Sequence, residues 1–293
     1  MTPFDELIEI DDAARLQEAW GRAPVVVAVR KSAQLRPLIV DAIETLARGA
    51  FRPPFIRVVK SDLEAGFGEI DPDSFTVPRI VGGQPYRAAD AALVGDFVEQ
   101  HGCTLVLLGL EVLLSRGGAL ARTVEEGLGD PVDLNLYLTP RSAKGFPRHF
   151  DPQHVLLLQL AGRKTWSLWR PERVIAIGEH FEVSHDAGPP LQTVELLAGE
   201  ALHIPRGWIH SGSSAEDQSI HLTLGLTPRT LAQKIAEASE ALMATDVRLR
   251  GDGSGVELED VLATISDRVA SPEAAHPGVQ VTPDCTVIWS GRA

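Results

Sequence analysis

The feature that most constrains the fold is a series of short apolar segments between residues 104 and 226. Each segment is six to eight residues long, and Gly, Pro or charged residues separate them: TLVLLG, VDLNLYLT, HVLLLQLA, KTWSLWR, QTVELLAG, EALHIP and SIHLTLGL. Short apolar runs bounded by turn residues are typical of strands. Many such strands in close succession predict a small barrel or sandwich.

Helical patterns flank this series on both sides. Before it, amphipathic stretches such as FDELIEIDDAARLQEAW alternate with the buried-strand patterns PVVVAVR and FIRVVKS. After it, RTLAQKIAEASEALMATDVRL and LEDVLATISDRVA have helical spacing, and GDGSG separates them. We therefore predict a mainly β fold with flanking helices. It has a mixed α/β supporting region at 1–100, a strand-rich core at 101–226, and a C-terminal helical region with a tail at 227–293.

Composition argues against several classes of partner. The net charge of −13 does not suit a nucleic-acid backbone, whose binding requires basic surface. The longest apolar stretch, CTLVLLGLEVLL, is too short to span a bilayer and contains Glu111. The start of the chain lacks a basic region followed by an apolar run, so we expect no secretory signal. Cys103 and Cys285 match no metal-ligand spacing, which favours a reduced, cytoplasmic setting.

Two predicted strands have a polar face of unusual composition. The polar positions of VDLNLYL and SIHLTLGL share one face of each strand: Asp133, Asn135, Tyr137, His221, Thr223 and Gly225. Such a face can simply be solvated, but solvated faces are usually rich in Lys, Glu, Arg and Asp. Asn, Tyr, His and Thr suit a pocket that binds something polar. KTWSLW adds one cation, Lys164, on the same face as Trp166.

The stretch GFPRHFDPQH contains a candidate metal site. His149 and Asp151 are separated by one residue, so in an extended backbone both side chains leave the same face. His154 lies an odd number of positions from both, so it points the other way. A second histidine must come from elsewhere, and His210 in HIPRGWIH follows a Pro and Gly turn. Two imidazoles and one carboxylate form the facial triad of Fe(II) sites, although Zn(II) accepts the same donors. The alternative is a pair of exposed loop histidines.

The remaining histidines have less specific surroundings. We expect His203 and His221 to be hydrogen-bonded residues of the barrel rather than ligands. His180 and His185 lie in GEHFEVSHDAG, which reads as a loop that could cover the site or simply be a variable surface loop. The sequence assigns no role to His154, His180 or His185.

The chain resembles the cupin-type JmjC oxygenases, in particular the branch that contains ribosomal protein hydroxylases. The residues that carry the resemblance are LNLYLTPRSAKGFPRHFDPQHVLLLQLAGRKTWSLW, LLAGEALHIPRGWIHSG and SIHLTLGL. The resemblance covers roughly residues 100–226 and implies a double-stranded β-helix (jelly-roll, cupin) core. It also implies that His149, Asp151 and His210 hold Fe(II) and that 2-oxoglutarate is the co-substrate.

The resemblance further assigns the pocket residues. In the family a basic residue on the strand after the His-x-Asp strand pairs with the distal carboxylate of 2-oxoglutarate, and Lys164 matches that position. Asn135 and Tyr137 match polar residues that line the same pocket, and Thr223 could add a hydroxyl. Trp166 and Trp208 could wall the site or serve only as core packing.

The implied activity is an oxygenase that hydroxylates a side chain of a protein or peptide, with release of succinate and CO2. A basic substrate would match the acidic chain. Two alternatives stay open: a metal-binding cupin that binds a peptide or acts as a sensor without turnover, and a JmjC-type demethylase.

The helices at 228–270 could form a homodimer, as in the ribosomal enzymes, or dock on their own domain. Too few residues follow them for the winged helix that those enzymes commonly carry.

Overall fold

The computed structural model describes residues 7–30, 32–62, 66–171, 181–182, 188–243, 246–250, 257–270, 279–281 and 287–289. The chain divides into two compact units, Met1–Pro228 and Arg229–Ala293. The first unit contains every residue that the sequence singled out as a candidate ligand or pocket residue.

The helices and strands are as follows in chain order. The N-terminal part contains α1 (Ile10–Ala19), β1 (Val25–Ala28), α2 (Arg36–Ala47), β2 (Ile56–Asp62), β3 (Gly66–Glu69), β4 (Thr76–Val81), β5 (Gln84–Ala89), α3 (Ala91–Glu99), β6 (Thr104–Leu107), α4 (Leu110–Leu113) and α5 (Ser115–Leu128). The central part contains β7 (Val132–Thr139), β8 (His149–Phe150), β9 (His154–Ala161), β10 (Arg163–Trp169), β11 (Phe181–Glu182), β12 (Gln192–Leu197), β13 (Glu200–Ile204), β14 (Ile209–Ser214) and β15 (Ser219–Leu226). The second unit contains α6 (Leu231–Met243), α7 (Leu258–Ala270), β16 (Val279–Val281) and β17 (Val287–Trp289).

Two antiparallel sheets form the centre of the first unit. The larger has eight strands in the order β1-β13-β9-β15-β7-β6-β2-β3, and the smaller has five in the order β11-β8-β14-β10-β12. Leu157 and Leu202 of the large sheet share one hydrophobic cluster with Trp166 and Leu196 of the small sheet. The two sheets therefore face each other across a common core, as in a jelly roll. The predicted mainly β fold with flanking helices is confirmed.

The large sheet has two different faces. Its outer face, marked by Leu134, Leu156 and Leu222, belongs to a hydrophobic cluster that also contains residues of α1, α2, α3 and α5. Its inner face, marked by Leu157 and Leu202, is turned toward the small sheet. Because side chains alternate along a strand, the polar residues of β7 and β15 lie on the inner face.

Strands from the N-terminal region belong to the same sheet as the central strands. β1 pairs with β13, with Val25 opposite His203, and β2 joins the other side of the sheet through β6. The two ends of the large sheet are thus built from the first part of the chain. The division at residues 100 and 226 stays a prediction.

Helix α5 lies where the sequence patterns gave no helical signal. Gly117 and Gly118 interrupt its periodicity and lower its intrinsic helix propensity. A Cβ atom on Gly117 would lie 2.1 Å from the carbonyl oxygen of Leu110, so only glycine permits this approach of α5 to α4. Tertiary packing therefore decides the structure of this segment against its local propensity.

The C-terminal helical patterns coincide with α6 and α7. The GDGSG segment between them lies outside the described residues. Among the helices of the described ranges, none combines the length and the apolar character that crossing a bilayer would need.

Candidate metal centre and adjoining pocket

Three predicted ligands meet at the edge where β8 and β14 pair. His149 of β8 is directly opposite His210 of β14, and Asp151 follows β8 by one residue. The Asp151 carboxylate lies 4.0 Å from Nε2 of His149 and 3.4 Å from Nε2 of His210. One ligand atom from each residue falls within 4.8 Å of the others. The structure thus brings together the three residues that the sequence selected.

Hydrogen bonds to the backbone fix the tautomer of both histidines. Nδ1 of His149 donates to the carbonyl oxygen of Pro147 at 2.8 Å, and Nδ1 of His210 donates to that of Trp208 at 3.0 Å. A carbonyl oxygen only accepts, so each Nδ1 carries a proton, and Nε2 is the ring nitrogen that can bind a metal. Metal-binding histidines use this arrangement. Two imidazoles and one carboxylate would leave several positions open on an octahedral metal.

Lys164 is buried on the inner side of β10. Its side chain is almost fully enclosed, with 2% of the residue surface exposed. Nζ donates to Oγ1 of Thr139 at 3.1 Å and lies 5.0 Å from the ring centroid of Trp166. Burial lowers the pKa of the Lys164 amine to about 7. A buried amine whose described contacts, Thr139 and Trp166, are uncharged suits an anionic ligand, which would favour its protonated form.

Two glycines make room for the lysine. A Cβ atom on Gly212 would lie 2.9 Å from both Cε of Lys164 and Cζ3 of Trp166. A Cβ atom on Gly145 would lie 3.3 Å from Nζ of Lys164. Both glycines therefore preserve the space around the lysine side chain.

Several buried polar atoms beside Lys164 have no hydrogen-bond partner in the described part of the chain. They are Nε1 of Trp166, both ring nitrogens of His221 and Oγ1 of Thr223. Leaving a buried donor or acceptor unpaired costs about 1–3 kcal/mol each. A group of such atoms on one inner surface is what a polar ligand would satisfy.

Contrary to the prediction of a hydrogen-bonded barrel residue, neither ring nitrogen of His221 has a hydrogen-bond partner within the described residues. Its ring is instead held by packing, because it stacks on Tyr137 at 4.9 Å and meets Trp166 edge-on at 5.6 Å. Burial first, and then the charge of Lys164, hold the pKa of His221 well below its usual value. The ring is therefore neutral, with one donor and one acceptor available.

Asn135, Tyr137 and Thr223 share the inner face next to this ring. Asn135 is opposite Thr223 and Tyr137 is opposite His221 in the β7 and β15 pairing. Oδ1 of Asn135 accepts a hydrogen bond from Gly109 N at 3.2 Å. Burial and the nearby Asp151 charge raise the pKa of Tyr137, although Arg57 lowers it, so its hydroxyl stays protonated. The predicted pocket residues therefore lie together, and Tyr137 is close enough to Asp151 to feel its charge.

The histidines on the outer face are bonded to the backbone. Nδ1 of His154 accepts from the Arg206 N–H at 3.2 Å. Nδ1 of His203 donates to the Val155 carbonyl at 3.1 Å, and its Nε2 accepts from the Gly21 N–H at 3.3 Å. The strand argument that turns His154 away from the ligands is confirmed, and so is the hydrogen-bonded role of His203. His180 and His185 lie outside the described residues.

Sequence reasoning missed two residues at the rim of the site. Phe146 lies 5.9 Å from Tyr137 and 5.7 Å from His149 between ring centroids, so it bridges the pocket and the candidate ligands. The guanidinium of Arg57 lies 5.7 Å from the Phe146 ring centroid and pairs with Glu69. The alternation of FIRVVKS places Arg57 on one face of a strand. The sequence contains no signal that β2 joins this sheet beside the site.

Residues 120–234 match the family model of the JmjC domain. Ribosomal oxygenase 1 of Danio rerio is 27% identical over 252 residues, which cover 82% of this chain and 44% of that protein. The protein named bifunctional lysine-specific demethylase and histidyl-hydroxylase NO66 of Dictyostelium discoideum is 36% identical over 131 residues, covering 43% of this chain and 25% of that protein. The chain therefore spans less than half the length of these curated relatives.

Solved structures of YcfD from Escherichia coli have a similar fold. One superposes with a TM-score of 0.57 at 16% identity, covering 92% of this chain and 70% of the other. Another, described as a ribosomal oxygenase in complex with cobalt and 2-oxoglutarate, gives a TM-score of 0.54 at 16% identity and covers 92% of this chain and 69% of that one. At this identity the likeness concerns the fold, and it agrees with the jelly-roll core described above.

Proposed function

We propose, from the match of residues 120–234 to the JmjC domain and the similarity to ribosomal oxygenase 1, that the chain is an Fe(II)- and 2-oxoglutarate-dependent oxygenase of the JmjC family. Its reaction would be the hydroxylation of a side chain in a protein or peptide, with release of succinate and CO2. The observation that carries this proposal is the presence of His149, Asp151 and His210 on the same inner surface as one buried cation, Lys164.

The donor set fits a divalent iron. Two imidazoles that can bind through Nε2 and one carboxylate match the ligands of non-haem Fe(II) oxygenases. Zn(II) would accept the same donors, and the JmjC relationship is what favours iron. In this proposal His149, Asp151 and His210 hold the metal.

The polar side chains on the inner face suit 2-oxoglutarate. Lys164 would donate a charge-assisted hydrogen bond to the far carboxylate, and the protonated hydroxyl of Tyr137 would donate a second. Oγ1 of Thr223 and the ring of His221 supply further polar atoms that lack a partner within the described residues. Asn135 lies beside Thr223 at the pocket wall.

When bound, iron and 2-oxoglutarate supply the oxidising chemistry, and the residues of the chain place and shield the reactants. The apolar side chains of Leu157, Trp166 and Leu168 pack together on the inner side and would limit the access of water to the reactants. The hydrogen bonds of His149 and His210 to backbone carbonyls hold both rings in one orientation. The protein therefore contributes binding, orientation and exclusion of solvent.

Anaerobic addition of Fe(II) and 2-oxoglutarate tests the proposal. We expect a charge-transfer absorption in the visible region, and we expect it to be absent in the His149→Ala protein. In air, candidate peptides should be converted with release of succinate and should gain one oxygen in mass spectrometry. A wild-type protein with neither the absorption nor succinate release would contradict the proposal.

The substrate in this proposal is a basic protein or peptide. The chain carries a net charge of −13, so a basic partner would be attracted electrostatically.

A second candidate activity is lysine demethylation, because one group of relatives is named for both activities. The same mass spectrometry separates the two, since demethylation removes a methyl group from the peptide and hydroxylation adds oxygen. Metal binding without any turnover would favour a sensor or peptide-binding protein.

We also propose a cytoplasmic homodimer formed through the second unit. Helix α6 exposes apolar side chains at helical spacing, with Leu231 67%, Ile235 41% and Met243 41% exposed. Docking of this face on the chain's own first unit is the alternative. Light scattering of the wild type and of Ile235→Glu distinguishes them, because only a dimer would lose half its mass in the variant.

A further inference from the structure

The turn between β13 and β14 forms hydrogen bonds with Asp151 and His154, the first and last residues of the segment that follows β8. The turn runs from Pro205 to Trp208 and is closed by a bond from Trp208 N to Pro205 O at 3.1 Å. Gly207 N donates to the carbonyl oxygen of Asp151 at 2.8 Å. Arg206 N donates to Nδ1 of His154 at 3.2 Å. The turn leads directly into β14, which carries His210, so these bonds connect two candidate ligands through the backbone.

The His154 ring is held in place from both sides on the outer face. Its centroid lies 5.4 Å from Trp20 and 6.0 Å from His203. Trp20 stacks on His203 at 4.2 Å with an interplanar angle of 13°. Gly21, at φ +69°, follows Trp20, and a Cβ atom there would already lie 3.4 Å from Cε1 of His154. The ring therefore cannot turn far without displacing its neighbours.

Its protonation state suits the role of an acceptor. Nδ1 accepts a backbone N–H, so it must be unprotonated in this arrangement. Burial, and then the charge of Arg206, lower the pKa of His154 to about 4 although Asp130 opposes the shift. The neutral ring thus persists at neutral pH. Simple packing would be served equally well by an aliphatic residue, whereas the bond to Arg206 N requires an acceptor.

We propose that His154 is a positioning residue of the metal centre. Through the Arg206 N–H it holds the Pro205 to Trp208 turn against the Asp151 backbone, which keeps Asp151 and His210 at the separation that a shared metal needs. This inference rests on the proposed function, because it assumes that the two residues are ligands.

The first test compares His154→Leu with His154→Asn in the full-length chain. Asn places an acceptor oxygen at the same distance from Cβ as Nδ1, while Leu fills similar space without an acceptor. Co(II) titration of each metal-free protein should show affinity about tenfold weaker for His154→Leu, at the lower end of the effects of residues that orient ligands. His154→Asn should recover most of the loss.

The second test removes the donor and leaves His154 in place. Gly207 at φ +80° and the bond from Trp208 N to Pro205 O define a type II turn, in which Pro is favoured at the position of Arg206. Arg206→Pro deletes the N–H, and Arg206→Ala deletes the same side chain but keeps the N–H. Co(II) affinity should be about tenfold weaker in Arg206→Pro than in Arg206→Ala. The double variant of His154→Leu and Arg206→Pro should lose no more than either alone.

A cavity variant on the same strand and face controls for general destabilisation. Leu158→Ala should lower the unfolding free energy without changing Co(II) affinity. Equal Co(II) affinity of the His154→Leu, Arg206→Pro and wild-type proteins would overturn the inference and leave the metal site intact. Failure of the wild type to bind Co(II) at all would overturn the proposed function and this inference together. If His154→Leu does not fold, the comparison of Arg206→Pro with Arg206→Ala tests the inference by itself.

Discussion

The histidines on the two faces of the large sheet differ in their hydrogen bonding. On the outer face, His203 uses both ring nitrogens and His154 uses Nδ1 in bonds to the backbone. On the inner face, His221 is as buried as His203, and neither ring nitrogen has a partner within the described residues. Histidine therefore stabilises the fold on the outer face of this sheet. On the inner face, His221 remains available to bind a ligand, and its unpaired nitrogens lower the stability of the ligand-free protein.

Loss of a metal ligand should produce the largest effect on the inner face. Asp151→Asn keeps the shape of the side chain and removes its charge. We expect Co(II) affinity to fall at least about 100-fold, beyond the 10- to 100-fold typical of residues that only support a ligand. Isothermal titration calorimetry measures the change. Undiminished affinity would remove Asp151 from the metal site.

Replacement of the buried cation should separate ligand affinity from stability. Lys164→Met should weaken 2-oxoglutarate about 10- to 100-fold, because a charge-assisted hydrogen bond is lost. The ligand-free variant should nevertheless be more stable than the wild type at pH 7, because it lacks an amine that burial removes from water and that has no ion pair within the described residues. Urea unfolding with and without 2-oxoglutarate measures both. A ligand-free variant that is less stable would show that Lys164 supports the fold itself.

The matched pair His203→Leu and His221→Leu tests the comparison of the two faces directly. His203→Leu removes the acceptor of the Gly21 N–H and a donor to Val155 O, and it should cost about 1–3 kcal/mol of unfolding free energy, with 2-oxoglutarate affinity unchanged. His221→Leu should leave the ligand-free stability unchanged or higher and weaken 2-oxoglutarate. If His203→Leu weakened 2-oxoglutarate binding and His221→Leu lowered the unfolding free energy, the comparison of the two faces would be wrong.

The change per pH unit is smaller than these effects, because stability should depend on pH only gradually. Burial holds the pKa of His203 at about 3, against 6.5 for a free histidine. The unfolded chain therefore binds more protons between these values, and the unfolding free energy should fall as pH decreases from 6.5, by up to about 1.4 kcal/mol per pH unit. His203→Leu should flatten this slope, while the exposed His101→Asn should not. Urea midpoints at several pH values provide the measurement.

The pocket surface could be predicted because strand side chains alternate with a period of two. That rule alone placed Asn135, Tyr137 and Thr223 on one face and turned His154 away from His149. The fold class followed from the short, closely spaced strands. These properties are local in the sequence, so a single chain reveals them.

Features that depend on the order of strands in the sheet were not predictable in the same way. Arg57 reaches the rim of the site only because β2 pairs with β6, and no local pattern specifies that pairing. Helix α5 was hidden by two glycines whose purpose is visible only in the contact with α4. Whether the ring nitrogens of His221 have hydrogen-bond partners likewise depends on which strands surround the ring.

The pairing of β1 with β13 has a consequence for how the chain is made. Val25 must find His203, which leaves the ribosome about 180 residues later. At about 5–20 residues per second, the apolar β1 segment waits for roughly 10 to 40 s before its partner strand exists. During synthesis this segment is an unprotected strand edge, the kind that invites wrong pairing. With this architecture, slower translation leaves the apolar β1 segment without its partner strand for longer.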